Sequence, residues 1–120
     1  MLSRVADCLF WMSRYLERAD CLGRLLNVSL HQALDLTGLE PAGYQPSWAA
    51  NLTIAQLAAP DGLADGPDPA RAVADWMTFD LANPASVLSN VNRARNNARS
   101  IRGSLGPEVW RAVNELYWHL

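Results

Sequence analysis

The residues most able to do chemistry sit in one short run, Arg14-Tyr15-Leu16-Glu17-Arg18, inside a long and otherwise apolar stretch. Charges in such a setting must be paired or used, because leaving them bare in an apolar environment is costly. Two readings fit. Glu17 is a general acid/base, a ligand-binding carboxylate or a metal ligand, with Arg14 and Arg18 holding an anion. Alternatively, Arg14 and Glu17, which are i,i+3 neighbours on a helix, form an ion pair that fixes helix register.

A second cluster lies far downstream. Arg93, Arg95, Arg99 and Arg102 carry a local charge of +4, and no acid occurs between Asp80 and Glu108. Arg95, Arg99 and Arg102 have i, i+4, i+7 spacing, which places them along one edge of a helix. Such a stripe needs carboxylates from elsewhere in the fold, with Glu17 and Asp20 as the candidates, or an external phosphate or carboxylate. It is small and has no interleaved aromatic residues, which argues against nucleic acid.

Other chemistries find little support. No Ser/His/Asp or Cys/His motif is present, and no Gly-rich phosphate loop follows a strand. His31 and His119 lack a second ligand at helical spacing and read as structural or surface residues. Cys8 and Cys21 are 13 positions apart, about 20 Å along one helix, too far for a mutual disulfide. They read as buried thiols of a cytoplasmic protein. No Cys/His spacing suggests a metal, and the residues name no cofactor.

Composition sets the frame. The 120 residues carry a formal charge of −2, which disfavours binding to nucleic acid or an anionic membrane. All ten basic residues are Arg. Five tryptophans supply apolar area for a core and read as packing residues. Arg4, Asp7 and Arg14 interrupt any apolar leader, and no stretch approaches a membrane span.

The elements that must position these residues are helices. Ser3 reads as an N-cap, and apolar positions recur at Val5, Leu9, Met12, Leu16, Ala19, Leu26, Leu30 and Leu34, up to a stop at Thr37-Gly38. The far side of this helix carries Phe10, Cys21, Leu25 and Val28 beside Arg14, Glu17 and Arg24, so the pattern predicts burial on two sides. Residues 38–47 read as a loop. A short helix is expected over Trp48–Ala59 with Ser47 as cap, and another from Asp68-Pro69 to Met77. Asn83-Pro84 repeats the cap-plus-Pro signature and should open a helix to about Gly103. Gly106-Pro107-Glu108 opens the last one. Its end, Leu-Tyr-Trp-His-Leu, lacks a cap and reads as truncated or completed by a partner. The sum is an all-α antiparallel helical bundle, with two or three long helices and two short ones, spanning 1–120 as one domain.

The run from Met1 to Ala19, with Glu17-Arg18 at its heart, resembles the start of the bacterial alpha-E domain family. Phe79-Asp80 with Asn83-Pro84-Ala85-Ser86-Val87 resembles a second block of that family, and Ala94–Arg102 with Glu108–Asn114 a third. The resemblance implies an all-helical fold named for its Glu-Arg motif, without an established activity. Family members are usually more than twice this long, which makes the chain look like an N-terminal portion. They commonly have Arg-Glu-Asn-Ala-Arg where this chain has Arg95-Asn96-Asn97-Ala98-Arg99, so a second carboxylate is missing at Asn96.

The resemblance also implies a context. Alpha-E proteins are encoded beside, or fused to, ATP-grasp-like and transglutaminase-like proteins, which suggests peptide synthesis or modification. Three functions follow as expectations. The chain is an accessory or binding component of such a system. Or it is an enzyme of that pathway, with Glu17 as acid/base and Arg14, Arg18, Arg95, Arg99 and Arg102 as an anion clamp. Or it is a helical scaffold. The expected partners are an ATP-grasp-like or transglutaminase-like protein, a second copy, or the missing C-terminal portion.

Overall fold

The computed structural model describes residues 2–35 and 47–120. Five α-helices are present: α1 (Leu2–Asp35), α2 (Ser47–Ile54), α3 (Pro69–Phe79), α4 (Val87–Ser100) and α5 (Pro107–His119). Single 3-10 turns at Leu63–Asp65 and Arg102–Ser104 join them, and there is no strand among the described residues. The fold is an all-α helical bundle. No helix among these residues is long and apolar enough to cross a membrane.

The 34-residue α1 is the spine, about 50 Å long. It packs chiefly on α4, and α4 in turn on α5. Two groups of buried side chains fix the directions. Met12 of α1 shares one group with Ala94 and Ala98 of α4 and Val113 of α5. Ala19 and Leu22 share the other with Val87 and Val91 of α4 and with Val73 and Met77 of α3. Residues later in α1 therefore meet residues earlier in α4, which makes the pair antiparallel. Ala94 and Ala98 are fully buried, and their small side chains let α1 and α5 approach α4 closely.

The ends of the helices follow local chemistry. Asp68 caps α3, its side chain accepting from Arg71 N at 3.1 Å, with Pro69 in the first turn. Pro107 opens α5 in the same manner, with Gly106 as cap. At α4 the expectation is corrected: the helix starts at Val87, capped by Ser86, not at Asn83-Pro84. Asn83 instead closes a tight turn, its Oδ1 accepting from Ala85 N at 3.0 Å. This is the side-chain mimicry of a backbone turn that Asn performs well.

Three other expectations are corrected. Ser3 is not a cap, because α1 already begins at Leu2. The second helix stops at Ile54 rather than Ala59. Gln56 takes a left-handed conformation (φ 56°). Leu57 N then bonds to Leu52 O, and Gln56 N to Thr53 O, in the 6→1 and 5→2 pattern that ends helices. Finally, α1 is buried on one side only. Phe10 and Val28, on the side opposite Met12, are 59% and 54% exposed. The expected stop at Thr37-Gly38 and loop 38–47 fall mainly outside the described residues, with only Ser47 inside them.

Candidate functional site: the Glu-Arg motif and the groove beside it

At about 100° per residue, Glu17 lies nearly opposite Met12 on α1, and Arg18 a quarter-turn or so round from it toward α4. The two halves of the motif therefore serve different surfaces. Glu17 is exposed, on the outer face that carries Phe10 and Val28 and one turn before the groove residue Cys21, and Arg18 is exposed too. Arg14 is exposed as well. Neither Glu17 nor Arg14 takes part in an ion pair among the described residues, where the pairs are Arg24–Asp20 and Arg71–Asp75, each within one helix and in water. Exposed pairs of this kind contribute little.

The arginine stripe of α4 is satisfied differently from the expectation. Neither Glu17 nor Asp20 is its counterpart. Arg95 is half-buried, its guanidinium 4.4 Å from the Tyr117 ring centre and 5.6 Å from that of Trp118. Its Nε donates to Asn114 Oδ1 at 2.9 Å. Arg102 lies 5.1 Å from the Trp110 ring centre. Arg99 is exposed. The aromatic partners come from α5, so they were invisible in the local sequence of α4. The tryptophans also divide. Trp48, Trp76 and Trp110 pack against the core, whereas Trp118 is 69% exposed.

The structure brings Arg18 together with a residue that the sequence reading left unassigned, Arg93. Both line an open groove of about 760 Å³. From α1 it takes Arg18, Cys21, Leu22 and Leu25; from the end of α2, Ile54, Ala55 and Leu57; from α4 and the turn before it, Pro84, Ala85, Asn90 and Arg93. The groove is apolar, with two guanidinium groups and no carboxylate among the described residues that line it. The Arg93 guanidinium also lies 5.7 Å from the Tyr15 ring centre. No local signal in α4 marked Arg93, because which flank of α4 faces α1 is set by the packing of the two helices.

Asn90 is part of this floor and is almost fully buried. Both Nδ2 protons are donated to backbone carbonyls, of Ala85 at 3.2 Å and Ser86 at 2.9 Å. The turn that carries Pro84 and Ala85 is thus tied to α4 at the groove wall. Cys21 is exposed and Cys8 half-buried, which corrects the expectation of two buried thiols. A smaller cleft of about 360 Å³ lies on the other flank of α1, with Leu16, Ala19 and Gly23 facing Val87, Val91, Leu116 and Leu120.

No three His, Cys, Asp or Glu side chains converge into a possible metal site among the described residues. What the arrangement can do is bind: two planar cations beside an apolar trough recognise an anion that carries an apolar body.

A family model matches residues 1–120: Alpha-E, described as a predicted alpha-helical domain with a conserved ER motif. The single Glu-Arg pair in the chain is Glu17-Arg18. No curated protein and no solved structure matches the chain.

Proposed function

We propose, from the premise that this chain belongs to the Alpha-E family, that it is a helical binding component of a peptide synthesis or modification system. It would serve an ATP-grasp-like or transglutaminase-like protein. The observation that carries this reading is the division of the motif: Arg18 lines an apolar groove with Arg93, while Glu17, one turn before the groove residue Cys21, is not part of that lining; all three side chains are exposed.

That division favours binding over catalysis. A general acid or base must reach its substrate, and electrostatic stabilisation works best where water is excluded. Glu17 is exposed, lies outside the groove lining and forms no ion pair among the described residues. Of the five arginines expected to form the clamp, Arg95 is engaged by Tyr117 and Asn114, and Arg102 lies over Trp110. The face that carries Glu17 with Phe10 and Val28 suits a different use. Mixed apolar and charged residues on one exposed helical face are what a partner protein contacts.

The test is co-purification of this chain with an ATP-grasp-like or transglutaminase-like protein from the same genome. The expected result is a stable complex, weakened by Phe10→Ser on the outer face of α1. Absence of any complex overturns the reading, and so does turnover of a peptide by the isolated chain that Glu17→Gln abolishes.

A further inference from the structure

We infer that the groove between α1, the end of α2 and the start of α4 binds the free C-terminal end of a short peptide with an apolar last side chain. The inference rests on the reading of this groove as the binding surface of the chain, and adds its ligand.

Three features define the chemistry. Arg18 and Arg93, both exposed, belong to a lining that has no carboxylate among the described residues. A guanidinium matches a carboxylate as a planar fork, and the bond strengthens where the surroundings are apolar. Leu22, Leu25, Ile54 and Leu57 supply those surroundings and a place for an apolar side chain. Asn90 is the third feature. Its Nδ2 protons are already committed to Ala85 O and Ser86 O, so all it can offer a ligand is an acceptor oxygen.

An occupant that uses all three features combines an anion, an apolar group and a hydrogen-bond donor. Inorganic phosphate lacks the apolar group. A fatty acid lacks the N–H. A peptide C-terminus has all three within one residue, and a volume of about 760 Å³ lies in the range of small-ligand sites.

Isothermal titration of the chain with acetyl-Ala-Leu-Leu as the free acid, and with the same peptide as its amide, tests this directly. The acid should bind, and the amide should bind roughly tenfold or more weaker, as expected for loss of charge-assisted hydrogen bonds. Arg18→Gln and Arg93→Gln should each weaken the acid by a similar factor, while Arg71→Gln, an exposed cation away from the groove, should change nothing. Arg93 also stacks on Tyr15, so far-UV circular dichroism accompanies each variant; if Arg93→Gln does not fold, Arg18→Gln carries the test. Absence of binding by the acid, equal binding of acid and amide, or full affinity in Arg18→Gln overturns the inference. Decanoate or inorganic phosphate binding as tightly as the acid peptide overturns it too. A chain that keeps its protein partner but ignores the peptide refutes the ligand and leaves the accessory role standing. One that binds the peptide but captures no partner does the reverse.

Discussion

The Arg95 guanidinium lies 4.4 Å from the centre of the Tyr117 ring, while its Nε donates to Asn114 Oδ1 at 2.9 Å. One side chain of α4 thus grips two residues of α5 that are three apart, on one face of that helix. Arg102 over Trp110 repeats the grip at the opposite end of the α4–α5 pair, and Arg93 over Tyr15 links α4 to α1. A cluster of four cations is accommodated largely by aromatic faces rather than by carboxylates. A planar, weakly hydrated guanidinium does this well, and an ammonium does it less well.

Replacing Arg95 should accordingly destabilise the fold. Arg95→Met keeps an apolar stem but loses the stacking charge and the hydrogen bond, at a cost of about 1–2 kcal/mol. Arg95→Lys should recover only part of that, because an ammonium stacks less well on Tyr117 and has no planar Nε–H to donate to Asn114. Urea denaturation provides the measurement. In a cycle with Asn114→Ala, the two effects should sum to more than the double variant shows, since the residues share one interaction. Strict additivity would mean that the Arg95–Asn114 contact contributes nothing.

The existence of every helix was legible in the residues, because apolar spacing and proline signatures are local properties. Pro69 and Pro107 marked true helix starts. Asn83-Pro84 carried the same signature and misled, because an Asx-turn and a helix cap use the same side-chain acceptor. The difference lies in the next two residues, where Ser86 takes the cap. The early stop of α2 was illegible for a plainer reason: Gln56 holds the left-handed position that glycine usually marks. In the candidate site, Arg18 could be found from its motif. Arg93 could not be separated from Arg95 and Arg99 without knowing which flank of α4 meets α1. The outer face of α1 looked buried because Phe10, Leu25 and Val28 are apolar, yet only Leu25 packs against the core. Periodicity reports which residues share a face and is silent on whether anything covers it.

Ser86 should be the most sensitive helix cap. It is fully buried, its Oγ accepts from Ser89 N at 3.1 Å and donates to Ser89 Oγ, which in turn donates to Asn83 O at 2.8 Å. Ser86→Ala strands a buried amide and breaks a chain of bonds, so the loss should reach about 2 kcal/mol. Asp68→Ala removes a cap exposed to water, where solvent can replace the lost acceptor, and should cost less, about 0.5–1 kcal/mol. Thermal melts of the two variants give the order. Equal losses would show that the network behind Ser86 adds nothing.

The two thiols should differ in reactivity. Cys21 is exposed at the groove, and Cys8 is half-buried earlier in α1. Reagent access limits the rate at which a thiol is modified. Iodoacetamide should therefore label Cys8→Ser faster than Cys21→Ser, as read by mass spectrometry over a time course. The reverse order would mean that α1 is rotated relative to its placement against α4.

Glu17 tests the one-sided burial of α1 most directly, since Met12 lies on the same helix and faces the other way. Met12 is buried against Ala94, Ala98 and Val113, and Met12→Ala should cost about 2–5 kcal/mol, the usual range for emptying a core position. Glu17 is exposed and in no ion pair among the described residues, so Glu17→Gln should leave stability within about 0.5 kcal/mol. Its effect should emerge only when a partner covers the outer face, as weaker capture of the partner proposed above. Denaturation midpoints and pull-down yields, measured on the same two variants, separate these roles. A Glu17→Gln variant that unfolds as readily as Met12→Ala would place the carboxylate in the interior after all and undo the division of the motif. One that is stable and still captures its partner at full strength would restrict the working part of the motif to Arg18 and the groove that it shares with Arg93.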